Sequence, residues 1–169
     1  MDMKAKGMDQ EFVDLVNRSQ RLIQRVCRMY SDSAEDRREL FQETVYQLWR
    51  SFPSFQGKSS PKTWIYRVAL NTAITTLRKE HRRLDSVPLE PYDQRNAAAD
   101  ETRNRNERSW MLEQAMRGLD RIERALVMLY LEDLSYKEMA EVLGLTETHV
   151  GVKLNRIKGK LQDTLREHE

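Results

Sequence analysis

Cysteine is nearly absent. Cys27 is the only one in 169 residues, and with three scattered histidines it offers neither a disulfide nor a zinc spacing such as paired CxxC. Glycine and proline are few, six and four, and no run of alternating β-branched residues occurs, so helix is the only regular structure that the pattern supports. No apolar stretch approaches the ~20 residues of a membrane span, the longest being Ala125 to Leu131, which implies no membrane insertion. Nothing near Met1 to Gly7 joins a basic end to an apolar segment of ~7–15 residues, so no signal peptide is expected and the chain should stay in the cytoplasm. A nucleophile–base pair, a phosphate-cradling glycine loop and a metal cluster are missing as well. Their absence speaks against an enzyme and implies no cofactor.

What is present is charge, unevenly spread. Charged residues make up 33% of the chain for a net charge of only +2, yet Met1 to Leu84 sums to +6, Asp85 to Glu107 to −3 and Arg108 to Glu169 to −1. A basic block beside an acidic one points to polyanion binding by the first. The acidic middle, with two prolines and no sustained apolar period, reads as a flexible linker. The expected fold is therefore all-α, with two small helical domains, 1–84 and 108–169, joined by a linker at 85–107. Units this small bury only about 60% of their unfolded surface.

In the first unit the apolar period predicts helices at Asp9 to Tyr30, Ser33 to Phe52 and Pro61 to Arg83. Ser60 can cap the third, and Pro61 suits its first position because the missing N–H has no partner there. On the second helix Leu40, Phe41, Thr44, Val45, Leu48 and Phe52 face inward, leaving Glu39, Gln42, Glu43, Tyr46 and Arg50 on the opposite side. Periodicity does not separate a solvated face from a docking face for a basic partner, where Glu39 and Glu43 would accept charge-assisted hydrogen bonds. The third helix is apolar around most of its circumference, except for a stripe of Trp64, Arg67, Asn71, Arg78 and Arg82. Single-stranded nucleic acid suits such a stripe: guanidiniums neutralise phosphate, an aromatic face stacks a base, and an asparagine amide pairs with a base edge. The run Arg78-Lys79-Glu80-His81-Arg82-Arg83 extends it as a phosphate-binding patch.

The second unit predicts helices at Arg108 to Leu119, Arg121 to Glu132, Ser135 to Leu143 and Thr146 to Arg166. Ser135 and Glu138 form a capping box, Ala140 is small where two helices must approach, and Gly144 sits at the turn, which is the spacing of a helix-turn-helix. On the last helix Val150, Leu154, Ile157, Leu161 and Leu165 make a seam, which leaves Thr148, His149, Val152, Asn155 and Arg156 outward and Lys153 and Lys160 on the flank. From His149 to Lys160 there are four basic residues and no acid. A helix of this kind enters a major groove, where Arg156 could read guanine, His149 and Asn155 base edges, and Val152 a thymine methyl. Gly151 and Gly159 each cost roughly 1 kcal/mol against alanine there, a cost that close approach of the backbone to phosphate would explain.

Three ordered segments resemble the extracytoplasmic-function (ECF) sigma factors of bacterial RNA polymerase: Ala34-Glu35-Asp36 through Leu40-Phe41-Gln42-Glu43-Thr44 to Leu48-Trp49, Phe55-Gln56-Gly57-Lys58-Ser59 through Thr63-Trp64-Ile65-Tyr66-Arg67 to Asn71-Thr72-Ala73, and Leu134-Ser135-Tyr136-Lys137-Glu138-Met139-Ala140 through Gly144 to Arg156. The resemblance implies that Glu39, Gln42, Glu43 and Tyr46 dock on the clamp helices of the largest subunit of core RNA polymerase, with the flap region as a further contact. It implies that Phe55, Lys58 and Ser59, with Asn71, capture a base flipped from the minus-ten element, that Trp64, Tyr66 and Arg67 support strand opening, and that Arg78, Lys79, Arg82 and Arg83 hold phosphates. Thr148, His149, Val152, Lys153, Asn155, Arg156 and Lys160 would face the minus-thirty-five element of promoter DNA. An anti-sigma factor is a partner that the family allows. Lys58 stands where an acidic residue is common in the family, and Gly151 where a basic residue is frequent. The competing reading, a conventional helix-turn-helix transcriptional regulator with an N-terminal sensing or dimerisation domain, accounts for Ser135 to Arg166 but not for the Phe55 loop or the Trp64 stripe.

Overall fold

The computed structural model describes residues 3–84 and 115–166, with side chains over 7–80 and 115–166. It divides into two compact units, Met1–Leu89 and Glu90–Glu169. The expected linker and most of the expected helix from Arg108 lie outside the described residues. Every element described is helical. Among them no helix is long and apolar enough to cross a membrane.

In the first unit α1 (Met3–Met29), α2 (Ala34–Ser51) and α3 (Pro61–Leu84) pack against one another in all three pairs. α1 begins six residues before the expected Asp9. Lys4, Ala5, Lys6 and Met8 are good helix formers, and the single Gly7 is too weak an interruption to stop them. α2 starts where Ser33 accepts from the Asp36 N–H at 3.0 Å, with Glu35 and Asp36 at its positive end and Arg50 at its negative end. It passes into a 3-10 turn at Phe52–Ser54, where Pro53 follows the last α-helical turn. The expected cap of α3 is present: the Ser60 hydroxyl accepts from the Thr63 N–H at 3.1 Å.

Ile23, Val26 and Cys27 from α1, Leu40, Thr44 and Leu48 from α2, and Ile65, Tyr66, Ala69, Leu70 and Ala73 from α3 form the buried centre. A fully buried Leu, Ile or Val contributes about 1.5–3 kcal/mol, so these three helices hold one another in place more than any is held by propensity. Burial pushes the Cys27 thiol up to about 11, with the Thr44 hydroxyl and the Arg37 guanidinium working against it, so it stays protonated.

The second unit contains α4 (Arg121–Leu131), α5 (Tyr136–Leu143) and α6 (Glu147–Arg166), again packed in all three pairs. α4 opens on a capping box that the sequence reading missed, Asp120 with Glu123, and α5 on the expected one, Ser135 with Glu138. Gly144 ends α5 at φ 66°, ψ 34°, a left-handed conformation that glycine adopts without a Cβ penalty. α6 begins one residue after Thr146, whose hydroxyl accepts from the His149 N–H at 3.2 Å. Val150, Leu154 and Ile157 are buried as expected, but Leu161 is half-buried and Leu165 is exposed. The buried seam is therefore shorter than the apolar period.

Candidate nucleic-acid interface

The stripe on α3 survives folding. Ile65, Tyr66, Ala69, Leu70 and Ala73 are buried, while Arg67, Asn71, Arg78 and Lys79 are exposed and Trp64 is half-buried. Spaced at i, i+3 and i+7, Trp64, Arg67 and Asn71 stand one above the other on a single face. Helix packing on the other sides prevents this face from rolling inward. Beside its N-terminal end lies the loop expected to capture a base. Phe55 is half-buried, Lys58 exposed and Ser59 half-buried, and Gly57 turns the chain at φ 66°. The Phe55 ring stacks on Trp64 with centroids 4.6 Å apart and planes 27° from parallel.

Tyr66 departs from the expectation. It was grouped with the residues that support strand opening, but it is wholly buried between its core neighbours. Burial pushes its phenol upward, with the Arg25 guanidinium opposing. The cause is its place in the turn: two residues from Trp64, it points nearly to the opposite side of the helix, where Arg25 of α1 lies. Tyr66 therefore anchors α3 and presents nothing to a ligand. Arg82 and Arg83 lie on α3, but their side chains are outside the described residues.

The acidic face of α2 is open as expected, with Glu39, Gln42, Glu43 and Tyr46 all exposed and Gln47 donating to the Glu43 carboxylate at 2.8 Å. The sequence reading missed what adjoins it. Phe12 from α1 joins Phe41, Gln42, Val45, Tyr46 and Trp49 in an open apolar groove of about 400 Å³. Phe12 also meets Trp49 edge-on at 5.0 Å and Phe52 at 5.3 Å, and Phe52 in turn lies 6.2 Å from Trp64. A row of five rings thus links Trp49 to Phe55. Only the period of α1 hinted at Phe12, because its partners lie tens of residues away.

On α6, Thr148, His149, Val152, Asn155, Arg156 and Lys160 are exposed and Lys153 is half-buried, so all seven expected groove residues are open to a partner to some degree. Lys160 also has a partner within the fold. Its ammonium donates to the Glu123 carboxylate at 2.5 Å, and that carboxylate also accepts from the Asp120 N–H at 3.0 Å. Lys160 thus ties α6 to the start of α4 while its side chain stays half exposed. At Gly151 an added Cβ would sit 3.5 Å from the Tyr136 ring, an ordinary contact, so packing does not require glycine there. Around Gly159 there is open space.

Comparison with known families decides between the two readings. Residues 15–83 match the model of sigma-70 region 2, and residues 109–161 match that of sigma-70 region 4. The chain belongs to the sigma-70 family. Its relatives include ECF sigma factors: the ECF sigma-E factor of Escherichia coli is 28% identical over 166 residues, 90% of this chain and 83% of that protein. The sigma factor YlaC of Bacillus subtilis is 28% identical over 78% of both chains. SigG of Mycobacterium tuberculosis is 40% identical, but over 57 residues, 34% of this sigma factor and 15% of SigG. Among solved structures, RpoE of Bartonella quintana, in complex with the anti-sigma factor NepR, superposes with TM-score 0.69 at 19% identity, covering 95% of this chain and 98% of that one. CnrH, in complex with the cytosolic domain of CnrY, gives TM-score 0.67 at 20% identity over 98% and 94%. Both show the fold of this sigma factor.

Proposed function

We propose that this chain directs core RNA polymerase to promoters in the cytoplasm, reading the minus-thirty-five element with α6 and holding the opened minus-ten strand with α3, and that it catalyses no reaction itself. The observation that carries the proposal is the Trp64–Arg67–Asn71 face. A helix buried on its remaining sides keeps an indole, a guanidinium and an amide in line beside the Phe55 loop, an arrangement with no purpose in a regulator that reads duplex DNA alone.

In this reading Arg156 reads guanine through O6 and N7, Asn155 and His149 reach neighbouring edges, Val152 meets a thymine methyl, and Lys153 neutralises phosphate. These contacts fix register on the duplex. Downstream, a flipped base enters the pocket between the loop at Phe55, Lys58 and Ser59 and the face of α3, where Asn71 meets its edge and Arg67, Arg78 and Lys79 hold backbone phosphates. Unstacking a base costs a few kcal/mol, which stacking on an aromatic face, about 1–3 kcal/mol, offsets. Glu39, Gln42, Glu43 and Tyr46, beside the apolar groove, form the surface that docks on the clamp helices of the polymerase, with the flap region as a second contact. Because RpoE of Bartonella quintana was solved with its anti-sigma factor, we assign a partner of that kind to this chain as well.

Reconstitution tests the proposal. Purified chain added to sigma-free core polymerase should start transcripts at a matching promoter, and Glu43→Arg should weaken core binding at least tenfold while the helical circular dichroism stays intact. Binding to promoter DNA without any transcription would favour the regulator.

A further inference from the structure

We infer that Phe55 covers the Trp64 base platform in the free chain and that an unpaired promoter base must push its ring aside to enter the pocket that the Phe55 loop borders, which makes Phe55 a gatekeeper of strand capture. This inference rests on the reading of α3 as the helix that holds the opened strand. At 4.6 Å between centroids and 27° between planes, the Phe55 ring occupies the stacked position over Trp64 that a captured base would need. The platform is therefore filled by the protein's own side chain.

Of the two rings, Trp64 is the fixed one. It sits in the first turns of α3, its N–H bonded to the Ser60 carbonyl at 3.0 Å, with Thr63 capped by the Ser60 hydroxyl at 3.1 Å and Phe52 beside its ring at 6.2 Å. The next residues of α3, Ile65 and Tyr66, are buried, so the helix cannot shift to expose another face. Phe55 stands on a different footing. Its N–H bonds to the Phe52 carbonyl at 3.0 Å, but beyond it the chain enters exposed Gln56, Gly57 and Lys58. Gly57 holds φ 66° with nothing within 4 Å of where a Cβ would be, so the loop can turn there without disturbing a helix.

The exchange runs in the useful direction. An aromatic pair of this geometry is worth a factor of about 2–12 in equilibrium, and a base on an aromatic side chain about 5–150. A base that has already left its duplex therefore displaces Phe55, and Arg67 and Asn71 on the same face add contacts that Phe55 cannot make. A base still paired has to meet the unstacking cost as well and loses the competition. The cover thus weakens capture of an open strand, whereas a paired strand, which does not reach Trp64, binds equally with or without it.

The test uses the full chain bound to core polymerase and two DNA probes, a fork junction with an unpaired minus-ten strand and the matched duplex. The measured quantity is the ratio of the two affinities. Phe55→Ala should raise the ratio about 2- to 10-fold, Phe55→Leu should raise it too, and Trp64→Ala should lower it. A ratio that falls or stays level in both Phe55 variants, while Trp64→Ala lowers it, overturns the cover and leaves the platform standing. If Trp64→Ala leaves the ratio unchanged, the reading of α3 itself fails, and the cover with it.

Discussion

α3 and α6 both carry a stripe of arginine, lysine and asparagine, yet they are held in opposite ways. α3 buries Ile65, Tyr66, Ala69, Leu70 and Ala73 almost completely and shows one narrow face. α6 fully buries only Val150, Leu154 and Ile157, and leaves Thr148, His149, Val152, Asn155 and Arg156 exposed along its outer side. The difference follows from the ligand each is proposed to meet. A flipped base needs a fixed slot, which requires a helix locked on several sides, whereas a major groove needs a protruding rod with side chains free to reach. Rigidity and reach are bought from the same circumference, so one helix cannot supply both.

The sharpest way to break this contrast is Tyr66→Ala. As a core residue it should cost about 3–5 kcal/mol and lower the denaturation midpoint of the first unit. An unchanged midpoint together with lost promoter opening would return Tyr66 to the strand and end the picture of a locked helix. On the open helix, Arg156→Ala should cost about 1–3 kcal/mol of binding to the cognate site and relax base preference at one position, with unfolding unaltered; a uniform loss on every sequence would reduce Arg156 to a phosphate contact. Gly159→Ala separates helix cost from DNA approach. With open space around the position, alanine should stabilise α6 by about 1 kcal/mol in thermal melts, and unchanged DNA affinity would remove any need for close backbone approach. The smallest effect distinguishes two lysines. Lys153→Ala should reduce the slope of log affinity against log salt by about 0.9, whereas Lys160→Ala should leave it level and lower stability by about 0.5–1 kcal/mol, because its charge is already paired.

Features written within a few residues were legible beforehand. The Ser60 cap with Pro61, the Ser135–Glu138 box and the turn at Gly144 depend on neighbours three to five positions away, and the structure has each of them. The capping box at Asp120 and Glu123 was equally local, and its Asp-x-x-Glu spacing could have been read. Features that depend on distant partners were not legible. The Glu123–Lys160 bond spans 37 positions, and a flank lysine looks the same on a helical wheel whether or not a carboxylate waits for it. Tyr66 was misplaced because a polar aromatic next to an exposed stripe suits either side until α1 and α2 are in position. Leu161 and Leu165 keep the apolar period while one is half-buried and the other exposed, and periodicity carries no information on how far a face stays covered.

The five-ring row from Trp49 to Phe55 joins the flank of the acidic face to the edge of the base pocket, with Phe12 and Phe52 as its inner members. Phe12 is 6% exposed, so a partner seated in the groove meets only its edge, yet a hole at its place loosens its neighbours on both sides. Genetic screens for failed attachment and for failed melting should therefore converge on this one phenylalanine, and a hit there would identify a shared footing and not a point of touch.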